Sequence, residues 1–186
     1  MTADGCQGMG MGVEIERRFF VQNNNSLPHL DGGIEIIQCY PPLDIWLNIW
    51  PSGIDEIDAL LHDSKTTFRL RIKGNKAYAT VKGAADGATR IEFEEEVGYN
   101  EVSLIINSKK YPFVVKKRCV LPAEGGLSWE IDCFEGDNSG LIIVEIEIPT
   151  PDYPLTTPNW IGKEITEDCE NWSNYALALN PLSNRT

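Results

Sequence analysis

The sequence predicts a mainly β (α+β) fold: about eight antiparallel strands, forming either a sheet with one solvated face or a closed eight-stranded antiparallel β-barrel, with a few peripheral helices. Three observations predict it. Segment after segment alternates apolar and charged residues at the two-residue period of a strand, as in Val13-Glu14-Ile15-Glu16-Arg17-Arg18-Phe19. Within each segment the charges share one parity, and Val, Ile, Leu, Phe and Ala fill the other. Helical spacing is confined to short stretches between or after these segments. With 186 residues the chain is long enough for one domain with a substantial core.

The first strand, from Val13 to Val21, sets Glu14, Glu16 and Arg18 in a row. Residues 1–12 are Gly-rich and lack an apolar run, so they are expected to form a disordered leader to a single domain at 13–180. Gly33 to Tyr40 reads as a second strand, stopped by Pro41-Pro42. Residues 43–65 look like an insertion, with Trp46 and Trp50 available to cover the main sheet or to meet a partner. Ile54, Ile57, Leu60 and Leu61 recur there at helical spacing, and Ser52 is the expected N-cap. Strands follow at 67–73, 77–82 and 90–97, the first two joined by a turn at Gly74-Asn75-Lys76. Asn100 to Lys110 has helix signals, with Asn100 as N-cap and Lys109-Lys110 in the last turn. Further strands are expected at 113–121, 127–134 and 141–148. A Pro-rich tail and a short helix near 171–179, within a 165–180 C-terminal helical segment, complete the chain.

Composition excludes several functions. A net charge of -12 argues against nucleic acid or an anionic membrane as partner. No transmembrane run or signal-peptide pattern is evident. The five cysteines include no CxxC pair, so neither a zinc site nor a disulfide framework is suggested, and a reducing, cytoplasmic setting is expected. His29 and His62 fall in a loop and in the insert, which argues against histidine chemistry.

The charged parity can be a solvated sheet face or the lining of a lumen. Two details favour the lumen. Wet faces mix in Ser, Thr, Asn and Gln, yet here Thr80 is nearly alone. The signs are also segregated, with Arg69, Arg71 and Lys73 on one strand and Glu92, Glu94 and Glu96 on another. Like charges so arranged destabilise a strand unless something binds them. Carboxylates suit a hard divalent cation, and Arg and Lys suit phosphoryl oxygens. The lumen therefore fits a small polyanion held together with such a cation.

The motifs, in order, resemble those of the CYTH family, the triphosphate tunnel metalloenzymes. Glu14-Ile15-Glu16-Arg17-Arg18 resembles the opening ExExK, with Arg in place of Lys. Gln38-Cys39-Tyr40 is similar to QxY, Arg69-Leu70-Arg71 to RxR, Thr80-Val81-Lys82 to TxK, and Arg90-Ile91-Glu92-Phe93-Glu94 to RxExE. Lys116-Lys117-Arg118, Trp129 to Asp132, Gly140 through Glu147, and Gly162 through Thr166 with Asn174 match the later elements.

The resemblance implies metal-dependent hydrolysis of inorganic tripolyphosphate to pyrophosphate and phosphate. It also admits thiamine triphosphate or a nucleoside triphosphate as substrate, adenylate cyclase activity, or polyphosphate binding without catalysis. By the same resemblance Arg18, Arg69, Arg71, Lys82, Arg90, Lys116 and Arg118 would hold phosphate. Glu14, Glu16, Glu92, Glu94, Asp132, Glu145 and Glu147 would hold Mg²⁺ or Mn²⁺, and Glu14, Glu16 and Arg18 would serve catalysis. Glu96 and Glu130 have the right parity but weaker motif support. A monomer or homodimer is expected.

Overall fold

The computed structural model describes residues 10–23, 27–55 and 57–185. Nine strands form one sheet that closes on itself. They are β1 (Gly10–Val21), β2 (Ile34–Cys39), β3 (Thr67–Lys73), β4 (Lys76–Lys82), β5 (Thr89–Val97), β6 (Phe113–Pro122), β7 (Ser128–Glu135), β8 (Ile142–Glu147) and β9 (Ile161–Glu164). Their order is β5-β4-β3-β2-β6-β7-β8-β1-β9, with a further β5–β1 pairing.

β1 makes the closure. Its first half pairs with β5, Glu14 opposite Arg90, and its second half pairs with β8, Glu16 opposite Glu147 and Arg18 opposite Glu145. Eight strands thus make a barrel without free edges, which is how an all-antiparallel sheet avoids edge pairing. β9 extends the β1 edge beyond the end of β5, at Phe19 and Val21.

The outward faces are apolar and covered from two sides. Leu70, Ile72, Ala77, Ala79, Val81 and Phe93 pack under Trp46, Trp50, Ile57, Val102 and Ile106, which come from the insert and from α3 (Tyr99–Asn107). Trp46 is fully buried and donates its indole N–H to the Arg69 carbonyl at 3.2 Å. The insert tryptophans are therefore cover for the sheet rather than an exposed surface. On the other side Phe19, Trp129, Ile131, Val144, Ile146 and Ile148 meet Trp160 and the Pro-rich tail.

The C-terminal helices do something else. Val114, Phe134 and Ile143 share the inward parity of Lys116, Asp132 and Glu145. They form an apolar cluster with Ile165 and with Leu177 of α5 (Asn174–Leu179). The chain's end thus caps one end of the barrel interior instead of covering its outside.

Several local expectations are corrected. Gly10 to Gly12 belong to β1, paired to β5, not to a leader; residues 1–9 of that expected leader lie outside the described residues. Ser52 caps no helix: its hydroxyl bonds the Glu95 carboxylate, and the insert's helices are the short α1 (Leu43–Leu47) and α2 (Asp58–Leu61). α3 begins at Tyr99 after an extended Gly98 and ends at Asn107, because Lys109 takes a left-handed φ of 51°. The C-terminal helix is two, α4 (Cys169–Trp172) and α5, broken at Ser173. Its hydroxyl accepts from the Ala176 N–H as an N-cap.

Candidate active site

The charged parity lines a lumen of about 380 Å³. β1 contributes Glu14, Glu16 and Arg18, β2 Gln38, and β3 Arg69, Arg71 and Lys73. Lys82 comes from β4, Glu92 and Glu94 from β5, and Lys116 and Arg118 from β6. Glu130, Glu145 and Glu147 stand on β7 and β8, and Asn174 enters from α5. The choice between wet face and lumen is resolved for the lumen, because barrel closure turns this parity inward.

Cross-strand pairing organises the charges. Arg69 reaches Glu94 at 2.9 Å, Glu92 at 3.3 Å and the Thr80 hydroxyl at 3.0 Å. Arg71 holds the same Glu94 at 2.7 Å. Lys82 lies between Glu14, at 2.7 Å, and Glu92. Arg18 pairs with Glu16 at 2.5 Å and Glu145 at 3.4 Å. Arg118 grips Asp132 through two nitrogens, at 2.6 and 2.5 Å, and reaches Glu145 at 2.5 Å.

Burial makes these pairs consequential for protonation. Burial raises Glu16 to about 7; Arg18 opposes this, and Glu145 and Glu14 add to it. Burial also pushes Glu147 up, and four more carboxylates, Glu14, Glu130, Glu16 and Glu92, push the same way. Glu92, Glu94 and Glu145 go the other way. Burial would raise each, but Arg69 with Lys82, Arg69 with Arg71, and Lys116 with Arg118 outweigh it in turn. The lumen therefore splits into saturated acids beside the cations and a crowded acid group centred on Glu147.

Known proteins carry the same design. The chain is 33% identical over 175 residues to the inorganic triphosphatase of Acetivibrio thermocellus, covering 94% of this chain and 98% of that one. The chain belongs to the CYTH, or triphosphate tunnel metalloenzyme, family. It is also 32% identical over 114 residues to the inorganic triphosphatase of Nitrosomonas europaea, covering 60% of this chain and 74% of that one. The crystal structure of the inorganic triphosphatase NE1496 superposes with a TM-score of 0.57 at 26% identity, covering 89% of this chain and 94% of that one. No protein-family model matches the chain.

Most expected CYTH site residues meet in the lumen; two stand apart. Asp132 is fully buried, and both its oxygens accept from Arg118, with Lys116 on one of them. Asp132 is expected among the metal ligands; here it holds the two cations Lys116 and Arg118. Arg90 lines the cavities at the β1–β5 end rather than the main lumen, and its buried Nε has no hydrogen-bond partner. Among the described residues neither Arg90 nor Lys73 has a carboxylate within ion-pair distance, so both remain available to an anion. Gln38 and Asn174, which the family motifs include without an assigned role, also line the lumen, and Cys169 was not anticipated. The Cys169 thiol lies 4.0 Å from Arg18. Gln38 has the inward parity on β2; Asn174 and Cys169 enter from helices, where strand parity says nothing and only the motif pointed to Asn174.

For a metal, the lumen offers oxygen donors, chiefly carboxylates, which suit a hard divalent cation. Among the described residues no three of them converge as they stand, since most are drawn to Arg or Lys. Glu147 alone of the lumen acids has no basic partner among the described residues, and it sits beside Glu14 and Glu16.

Proposed function

We propose that this chain hydrolyses inorganic tripolyphosphate to pyrophosphate and phosphate in a reaction dependent on Mg²⁺ or Mn²⁺. One observation carries the reading: a lumen that sets Arg and Lys side chains against a crowded acid group around Glu147. A linear polyanion with a divalent cation neutralises both. The names of the two curated relatives support the choice of substrate.

Arg69, Arg71, Lys116 and Arg118 would grip phosphoryl oxygens, and Arg69 and Arg71 would trade Glu94 for them. Arg18, Lys82 and Arg90 would hold the end near β1 and β5. Glu14, Glu16, Glu92 and Glu147 would hold the cation, with Glu94 and Glu145 keeping the arginines in place. The bound cation supplies a water of lowered pKa and neutralises charge on the phosphoryl oxygens. Glu16, drawn up to about 7, would be held by such a cation as the carboxylate. The guanidinium groups stay charged throughout and stabilise the leaving pyrophosphate.

Arg69→Ala and Glu16→Ala should each abolish tripolyphosphate turnover, a fall of about a hundredfold or more, with the circular dichroism of a folded β protein retained. Full activity in both variants would refute the lumen as the site.

A second reading has one observation in its favour. A cavity of about 350 Å³ lined by Tyr40, Pro42, Phe68, Tyr111 and Tyr175 adjoins the mouth, where an aromatic group on a triphosphate would fit. Competition between tripolyphosphate, ATP and thiamine triphosphate at equal concentration distinguishes the two.

A further inference from the structure

β1 changes partners where Glu16 and Arg18 stand. On one edge β5 accompanies it from Gly10 to Ile15, and β9 takes over at Phe19 and Val21 with a shift of register. Residues 16–18 span the gap between the two. Backbone N–H groups in such a gap need partners from elsewhere. The Glu16 N–H donates to the Ala88 carbonyl at 3.0 Å. The Arg18 N–H donates to a side chain instead, the Thr166 hydroxyl, at 3.0 Å. The Arg18 carbonyl accepts from the Ile165 N–H at 2.8 Å. Both backbone groups of Arg18 are thus pinned by the turn that follows β9.

The pinning hydroxyl is itself aimed. Thr166 is only 8% exposed. Its oxygen accepts from Arg18, and its proton goes to the Glu164 carboxylate at 2.7 Å. Arg17 holds that carboxylate in turn, its Nε and Nη2 donating to the two oxygens at 2.9 and 2.6 Å. Adjacent arginines therefore serve opposite sides of β1. Arg17 points outward into this chain of bonds, and Arg18 points inward beside Glu16 and Glu145. Arg18 stands where the ExExK motif carries Lys. A guanidinium meets phosphoryl oxygens through a planar fork, so its fit depends on the direction in which the side chain leaves the backbone. An ammonium is a point charge on a flexible stem and depends on it less.

We propose that Thr166 is a positioning residue whose hydroxyl, aimed by Glu164 and Arg17, supplies the bond missing between β5 and β9 and fixes the direction in which the Arg18 guanidinium meets a phosphoryl group. This rests on the reading of the lumen as a tripolyphosphate site.

The test is a double-mutant cycle with tripolyphosphate, read as kcat/KM with Mg²⁺ and as calorimetric affinity in chelator. Thr166→Val removes the hydroxyl at similar size and Thr166→Ser keeps it; each is made in the wild type and in Arg18→Lys. In the wild type Thr166→Val should lower kcat/KM and affinity about tenfold, as for a buried donor left unpaired, and Thr166→Ser should restore most of the loss. In Arg18→Lys the same change should cost about threefold or less. An equal fall in both backgrounds would make Thr166 a purely structural residue and overturn the proposal, as would full activity of Thr166→Val. Glu164→Gln, at a partly exposed position, reads the same link if Thr166→Val does not fold. It should cost about threefold in the wild type and nothing in Arg18→Lys, and equal effects in the two would overturn the proposal. Neither binding nor phosphate release by the wild type would overturn the lumen reading, and the role of Thr166 with it.

Discussion

Glu16 shows how much a single position depends on its surroundings. Its neighbour in sequence parity, Arg18, is 2.5 Å away, yet burial and two nearby carboxylates leave it at about 7 instead of 4.5. A raised folded-state value means that the folded protein holds this proton more tightly than the unfolded chain does. Its contribution to stability is therefore full below about pH 4.5 and lost as pH rises through about 7. In chelator the melting temperature should drop on this account between about pH 5 and about pH 8, and Mg²⁺ should recover more of it at the higher pH. Equal recovery by Mg²⁺ at both ends would contradict Glu16 as a cation ligand. Strand parity alone identified Glu16 as inward, but not its proton affinity, because that depends on Glu145 across the β1–β8 pair. Asp132 shows the same gap: its parity marked it as inward, but not that both its oxygens would accept from Arg118 on the neighbouring strand.

At the scale of elements, the strands were legible because each carries its own two-residue alternation. β9 was not, since four residues of Ile161–Glu164 have too short a pattern and become a strand only by lying against Phe19 and Val21. The insert was misjudged for a related reason. Its helical spacing from Ile54 to Leu61 suggested one helix, but Ile57 and Trp46 are fixed by burial on the β3–β4 face, and only Asp58–Leu61 stays helical. The insert therefore acts as a lid on the barrel's outer wall. Trp46→Ala should destabilise the protein by about 3–5 kcal/mol in chemical denaturation, as for a large side chain removed from a core. Because Trp46 also holds the Arg69 carbonyl, a rise in KM for tripolyphosphate should accompany it. Unchanged stability would mean that the wall does not need this cover.

For the whole molecule, closure is the step on which everything else depends. An open sheet with the same residues would leave its charges in water, where pairs contribute little. Closing β1 onto β5 places them in a confined space, where they act more strongly on one another and on a ligand than they would in water. The sequence indicated closure only indirectly, through the scarcity of neutral polar residues on the charged parity, the segregation of signs by strand and the family motifs. It did not indicate that α5 would cap one end, because Leu177 meets Val114, Phe134 and Ile143 only after the barrel exists.

The most direct measurement is phosphate release from tripolyphosphate by the wild-type protein with Mg²⁺, with Mn²⁺ and with chelator, alongside ATP. The charged lumen predicts rapid release that requires a divalent cation and exceeds release from ATP. Release undiminished by chelator, or no release from tripolyphosphate under any condition, would contradict it.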